Sequence, residues 1–198
     1  MLGSASHSTP SNAASGSRQV LRESLLLQRE AFVAGSGVEA AGASLASHLV
    51  NVLSELEPQS LGLYWPHRSE FNAVAAVIDS SQFAKLPLAL PFARRDPVVM
   101  HYRLWNRRPP TTTDDCGIAS TDGAPVVPDV VLVPCLGFTT SLYRLGYGGG
   151  YFDRWLAQHP GTVAVGVAWA AGAVDDKAFV PAPHDLALNV IVTEHGVV

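Results

Sequence analysis

Apolar positions along this chain recur in two rhythms. Over residues 18–32 they fall at Leu21, Leu25 and Phe32, a spacing that predicts a helix. A second helix is predicted over residues 40–56, with Leu45, Leu49, Val52 and Leu53 turned inward. Between them, Gly35-Ser36-Gly37 follows a helix rather than a strand, so it reads as a helix–helix linker and not as a dinucleotide fingerprint. Beyond residue 60 short apolar runs take over. Residues 60–65, ending at Pro66, residues 86–90, closed by Pro91, and the alternating 98–105 are predicted strands. So are 130–134 and 162–169, and the tail 183–194 combines a loop with a last strand. Residues 71–83 make a helix, and another starts after residue 150. Residues 106–128, rich in Pro, Thr, Asp and Gly, form a long loop, of a length usually functional or disordered. Strands alternating with helices predict an α/β fold, a three-layer α/β/α sandwich around a mainly parallel sheet.

The densest chemistry lies in Arg144-Leu145-Gly146-Tyr147-Gly148-Gly149-Gly150-Tyr151-Phe152-Asp153-Arg154, between a strand and a helix start. Glycines let a backbone approach a ligand closely, and a helix N-terminus favours an anion such as phosphate. Arg144 would clamp that anion, while Asp153 would hold a divalent metal or cap the helix. It is not a P-loop, since no Gly-Lys-Ser/Thr follows, and Tyr151 stands where a dinucleotide motif needs glycine. On physics alone the segment is either an anion site or a flexible turn.

Composition narrows the picture. Hydrophobic residues are 47% and charged residues 15% of 198, the balance of one globular domain. The net charge of −4 argues against general affinity for nucleic acid or an acidic membrane. Short basic clusters at Arg94-Arg95 and within 103–108 read as solvated loop. Arg18, Arg22 and Arg29 share one helix face, a spacing that by itself reads as a solvated basic stripe. Glu70, taken alone, reads as a first-turn carboxylate complementing a helix dipole. The two cysteines form no CxxC or zinc-like cluster, and Cys135 reads as a small buried hydrophobe rather than a nucleophile. His184-Asp185 lacks a Gly-x-Ser-x-Gly elbow, which argues against a hydrolase. Residues 1–17 lack a signal-peptide core and are expected to be a disordered leader before a domain at 18–198. No run approaches the roughly 20 apolar residues that span a bilayer, so the expectation is a soluble, cytoplasmic monomer.

RLGYGGGYFDRWL resembles the signature of the 5-formyltetrahydrofolate cyclo-ligase (methenyltetrahydrofolate synthetase) family, RLG-x-G-x-G-Y/F-Y/F-D-R. Pro134 and Gly137-Phe138 match upstream, Arg18 and Leu21-Arg22 match the family's N-terminal pattern, and Tyr64, Pro66 and Glu70 match Tyr-x-Pro-x-x-x-Glu. The resemblance implies a Rossmann-like sandwich of the NagB/RpiA/CoA-transferase kind. It implies ATP held by Arg18, Arg22, Arg144, Gly146, Tyr147, Gly148, Gly149 and Gly150, and a reduced folate held by Trp65, Glu70 and Tyr151. Asp153 and Asp185 would bind Mg²⁺, and Arg144 and Tyr151 would stand nearest the chemistry. The implied reaction converts 5-formyltetrahydrofolate to 5,10-methenyltetrahydrofolate, releasing ADP and phosphate.

The chain also departs from that pattern. Thr139 and Leu142 replace an aspartate and a glycine, Ser120 replaces a glutamate, and Asn189 stands where an aspartate is frequent. From the sequence the first three cluster around the active site. They leave two alternatives: a paralogue that binds nucleotide or folate without turnover or with another specificity, and a sugar-phosphate isomerase-like enzyme.

Overall fold

The run Val130–Pro134 is buried on both sides: Val130 and Leu132 enter one apolar core, Val131 and Val133 the other. That alternation organises the computed structural model, which describes residues 10–198. In chain order the elements are α1 (Pro10–Val33), α2 (Val38–Leu56), β1 (Leu61–Gly62), α3 (Ala73–Asp79), β2 (Leu88–Arg95) and β3 (Val98–Trp105). There follow β4 (Thr112–Thr113), β5 (Ala119–Ser120), β6 (Pro125–Val126), β7 (Val130–Pro134), β8 (Gly137–Phe138) and β9 (Arg144–Leu145). The chain closes with α4 (Tyr151–Gln158), β10 (Val163–Val167), β11 (Val190–Thr193) and β12 (Gly196–Val197).

Eight strands form one sheet in the order β12-β11-β10-β7-β1-β2-β3-β6. The inner pairings, β11-β10-β7-β1-β2, are parallel and the flanking ones antiparallel. One sheet face packs against Leu45, Leu49 and Leu53 of α2 and Val74 and Val77 of α3. The other packs against Trp155 and Leu156 of α4. Helices on both faces of a mainly parallel sheet are the expected sandwich.

Several expectations need correction. Among the described residues α1 runs from Pro10 to Val33. Residues 10–17 are therefore helical rather than part of a leader, and the rest of the expected leader lies outside the described residues. Pro91 does not end its strand. In β2 the odd-numbered residues turn away from β3: Ala89 O accepts from Leu63 N, and Ala93 N donates to Asp114. The missing N–H of Pro91 thus faces the side where β1 has already ended, and no bond to β3 is lost. The segment 106–128 is not structureless, since it supplies the edge strand β6 and the small β4–β5 pair. The helix expected over 71–83 is interrupted at Ser80, which is extended and precedes a separate 3₁₀ turn. Of the basic clusters, Arg94 and Arg95 are exposed at the end of β2, while two arginines within 103–108 are not solvated loop. Arg103 lies over the Phe92 ring, and Arg107 donates to the Phe83 and Leu86 carbonyls.

No helix among the described residues is long and apolar enough to cross a membrane.

Candidate active site

Tyr64 and Trp65 follow β1 and Pro134 ends β7, and all three line a cleft of about 700 Å³. Ligands of open α/β sheets bind beyond such strand ends. The β8–β9 hairpin then carries the chain into the glycine loop, so the expected strand–loop–helix order holds with an extra hairpin inserted. All five loop residues 146–150 line the cleft. Gly148 and Gly150 take φ of 96° and 62°, which side-chain-bearing residues adopt only with strain. A Cβ at Gly148 would stand 3.3 Å from Cζ of Arg22 and would push that guanidinium slightly aside. Arg22 reaches in from α1 and donates from Nε to the Gly146 carbonyl at 3.0 Å. From outside, Arg154 donates to the Gly149 carbonyl.

Both carboxylates expected to bind metal line the cleft, and each is held by an arginine. Arg144 Nη2 lies 2.9 Å from Asp153 Oδ1, which also accepts from Leu186 N at 3.3 Å. Asp153 therefore does not cap its helix; Gly150 is the N-cap residue, without a side-chain bond. Arg18 Nη2 lies 2.6 Å from Asp185 Oδ2, which also accepts from Ala182 N at 2.6 Å. Burial opposes ionisation of Asp185, but Arg18 and the Ala182 N–H outweigh it and hold the carboxyl below its usual range. These contacts fall on one oxygen of each carboxylate; Asp153 Oδ2 and Asp185 Oδ1 take part in none of them, and His184 lies 3.8 Å from the latter. Such hard oxygens are the donor type that could hold Mg²⁺. No group of three or more His, Cys, Asp and Glu side chains could hold a metal among the described residues, so phosphate or water oxygens would complete the shell.

Trp65 and Glu70 line the same cleft. Trp65 stands edge-on to Trp105, with ring centroids 5.9 Å apart. Glu70 sits in a turn held by Trp169, whose Nε1 donates to Ser69 O at 3.1 Å. The Glu70 carboxylate accepts from His67 N at 2.8 Å, and Tyr147 stands near it. Burial pushes its pKa up to about 7, against the opposing pull of the His67 N–H, Arg29 and Tyr147. Tyr147 thus leaves the glycine loop toward Glu70, away from the loop backbone it was grouped with.

Arg29, taken for a solvated member of a basic stripe, is 3% exposed. Its Nε donates to Ser69 Oγ at 3.0 Å and its Nη2 to the Tyr147 hydroxyl. Helical spacing put it on the face of Arg18 and Arg22, but spacing does not register that the Glu70 turn covers that end of the face.

Tyr151 lines the cleft beside Cys116, and the Cys116 sulfur and the Tyr151 hydroxyl share a hydrogen bond at 3.5 Å. That bond, with burial second, pushes the phenol up to about 12. Cys135 is buried and its thiol is pushed up to about 12, in keeping with a packing role and not a nucleophile. Asp114 went unnoticed in the sequence, although Asp-x-x-Gly is a common turn pattern. Its carboxylate accepts from Ala93 N, Cys116 N and Ile118 N, which pins the long segment to β2 and sets Cys116 at the cleft.

A family model for the 5-formyltetrahydrofolate cyclo-ligase family matches residues 14–194. This chain belongs to that family. Over 147 residues it is 27% identical to the 5-formyltetrahydrofolate cyclo-ligase of Haemophilus influenzae, covering 67% of this chain and 75% of that protein. Over 67 residues it is 36% identical to the cyclo-ligase of Mycoplasma pneumoniae, covering 33% of this chain and 39% of that protein. Solved 5,10-methenyltetrahydrofolate synthetases share the fold. That of M. pneumoniae superposes with a TM-score of 0.70 at 22% identity, covering 89% of this chain and 98% of the other. That of Aquifex aeolicus gives 0.71 at 24%, covering 91% of each.

Against the cyclo-ligase pattern, the three departures expected near the active site stand behind the cleft wall and not in it. Ser120, Thr139 and Leu142 do not line the cleft. Ser120 is fully buried and donates to the Pro91 carbonyl at 2.6 Å, on the very edge of β2 that β1 leaves open. Thr139 closes the β8–β9 hairpin, its Oγ1 accepting from Tyr143 N at 3.3 Å. Leu142 packs against the α4-side core. Asn189 Oδ1 accepts from Ala164 N at 2.8 Å between β10 and β11. These substitutions bear on the scaffold.

Proposed function

We propose that this protein is an ATP- and Mg²⁺-dependent 5-formyltetrahydrofolate cyclo-ligase that forms 5,10-methenyltetrahydrofolate, ADP and phosphate. The observation carrying this reading is that the residues matching the family's separate motifs, from α1, the Glu70 turn, the glycine loop and the Asp185 loop, line one cleft.

In this reading the triphosphate lies along the glycine loop, where Arg22, Arg144 and backbone N–H groups offset its charge. Asp153 and Asp185 would hold Mg²⁺, which when bound neutralises charge on phosphate oxygens. The folate's aminopyrimidine edge meets the Glu70 carboxylate, which accepts paired N–H donors. Trp65 and Tyr151 flank the ring system. The formyl oxygen attacks the γ-phosphorus and ADP departs. N10 then closes on the activated formyl carbon, giving up its proton to the departing phosphate or water, and the C–O bond breaks with loss of phosphate. Phosphoryl transfer of this kind depends mainly on positioning and charge stabilisation, a role that arginines and backbone N–H groups in the cleft can fill.

The scaffold positions of Ser120, Thr139 and Leu142 favour this reading over a non-catalytic paralogue. Purified protein mixed with 5-formyltetrahydrofolate and MgATP should develop the methenyl-folate absorbance band. The band should be absent without ATP and lost in Asp153→Ala and Arg144→Ala. Folded protein that binds ATP and folate by calorimetry but forms no product would instead favour the paralogue.

A further inference from the structure

Arg29 ties the glycine loop to the Glu70 turn. Arg29 Nη2 in α1 donates to the Tyr147 hydroxyl in the glycine loop, while its Nε donates to Ser69 Oγ, one residue before Glu70. Its guanidinium lies 5.6 Å from the centroid of the Tyr147 ring. A buried guanidinium is costly unless a nearby group compensates its charge, and the half-buried Glu70 carboxylate lies next to its partner Ser69. No motif singled out Arg29. We propose that Arg29 is a positioning residue: by fixing Ser69 and Tyr147 and by its own charge it favours the ionised form of Glu70 and keeps that carboxylate aimed at a cationic or amidine-like ring edge in the cleft. This inference rests on the folate reading above for the identity of that ring.

The groups facing Glu70 are few. Arg29 comes from α1 and Tyr147 from the glycine loop. Tyr64 follows β1 and Cys135 follows β7; burial raises the pKa of each, so both stay neutral near neutral pH. The His67 ring is held neutral by burial and by the charges of Arg68 and Arg29, while its backbone N–H bonds the carboxylate. Arg29 is therefore the one cation acting on Glu70 among these groups, and its removal should make the carboxyl harder to ionise.

Two measurements on the full chain test this. Glutamate δ-carbon NMR titrations of wild type, R29Q, R29K and Y147F, with E70Q to assign the signal, read Glu70 directly and need no activity. R29Q and Y147F should move the Glu70 titration upward, R29Q by about one pH unit, and R29K should restore most of the shift. Calorimetric binding of 5-formyltetrahydrofolate should weaken about fivefold in R29Q near pH 7 and converge with wild type at higher pH, with MgATP binding unchanged. A Glu70 titration unmoved by R29Q and Y147F would overturn the proposal. So would equal weakening of both ligands at every pH, since that marks a merely structural arginine. Wild-type protein that binds no folate would sink the functional reading instead, and the titration would still decide the role of Arg29.

Discussion

Arg144 Nη2 stands 2.9 Å from Asp153 Oδ1, with the arginine side chain only 5% exposed. Removing either partner strands a poorly solvated charge, which typically destabilises by about 3–5 kcal/mol. Asp153→Ala and Arg144→Ala should therefore unfold at lower denaturant, so lost activity in them mixes two causes. Asp153→Asn keeps the shape and separates them. It should stay folded yet lose on the order of 100-fold in methenyl-folate formation, as loss of one charged group at a phosphoryl-transfer site does. Near-normal turnover in folded Asp153→Asn would remove this carboxylate from the chemistry.

Glu70 imposes a pH dependence on stability. Its ordinary value is 4.5 and the folded protein raises it to about 7, chiefly by burial. The folded state therefore holds this proton more tightly than the unfolded chain. Stability is fully present below the lower value and falls as pH rises through the upper one. Glu70→Gln should cancel that slope, so its melting temperature relative to wild type should climb between about pH 5 and about pH 8, by the equivalent of about 1–3 kcal/mol. Parallel melting curves across that range would contradict the burial of an ionisable Glu70.

Leu142 adopts φ of 64° in the hairpin turn, at the position where the family carries glycine. The left-handed conformation costs a side-chain-bearing residue about 1–2 kcal/mol, while the leucine regains part of that by packing against the α4-side core. Leu142→Ala keeps the strain and loses the packing; Leu142→Gly loses both. Denaturant titration should rank Leu142→Gly close to wild type and above Leu142→Ala, by about 1 kcal/mol. The reverse ranking would mean that packing alone governs this turn.

Among the described residues, Tyr102 carries a fully buried hydroxyl with no hydrogen-bond partner. Its ring packs edge-on against Trp155 at 4.9 Å, and Tyr102→Phe would leave that contact in place. Because an unsatisfied buried hydroxyl is unfavourable, the phenylalanine variant should be about 1 kcal/mol more stable, with an unchanged denaturant slope. Destabilisation would show that the hydroxyl has a compensating role.

Much of the architecture was readable from local pattern. The strands Val98–Trp105 and Val130–Pro134 have the boundaries their apolar runs suggested, because burial on one or both faces leaves a period that sequence displays directly. Pro91 was misjudged because the rule that proline ends a strand depends on which edge its nitrogen faces, and that is fixed by the short reach of β1. The glycine loop, Glu70 and Asp185 were found through motif spacing. Arg29 and Asp114 were not, since each acts through segments far away in sequence: Arg29 on residues 69 and 147, Asp114 on the edge of β2. Ser120, Thr139 and Leu142 look like changes to the site only while distance along the chain stands in for distance in space.

One helix supplies Arg18 to the Asp185 loop, Arg22 to the glycine loop and Arg29 to the Glu70 turn. At the rise of an α-helix those eleven steps span about 16 Å, so α1 works as a ruler laid along the cleft. A single residue inserted between Arg18 and Arg29 would swing one end of the ruler by about 100° relative to the other. At most one end could then stay engaged, which makes the length of α1, as much as its side chains, a determinant of how far apart the two ends of the cleft are held.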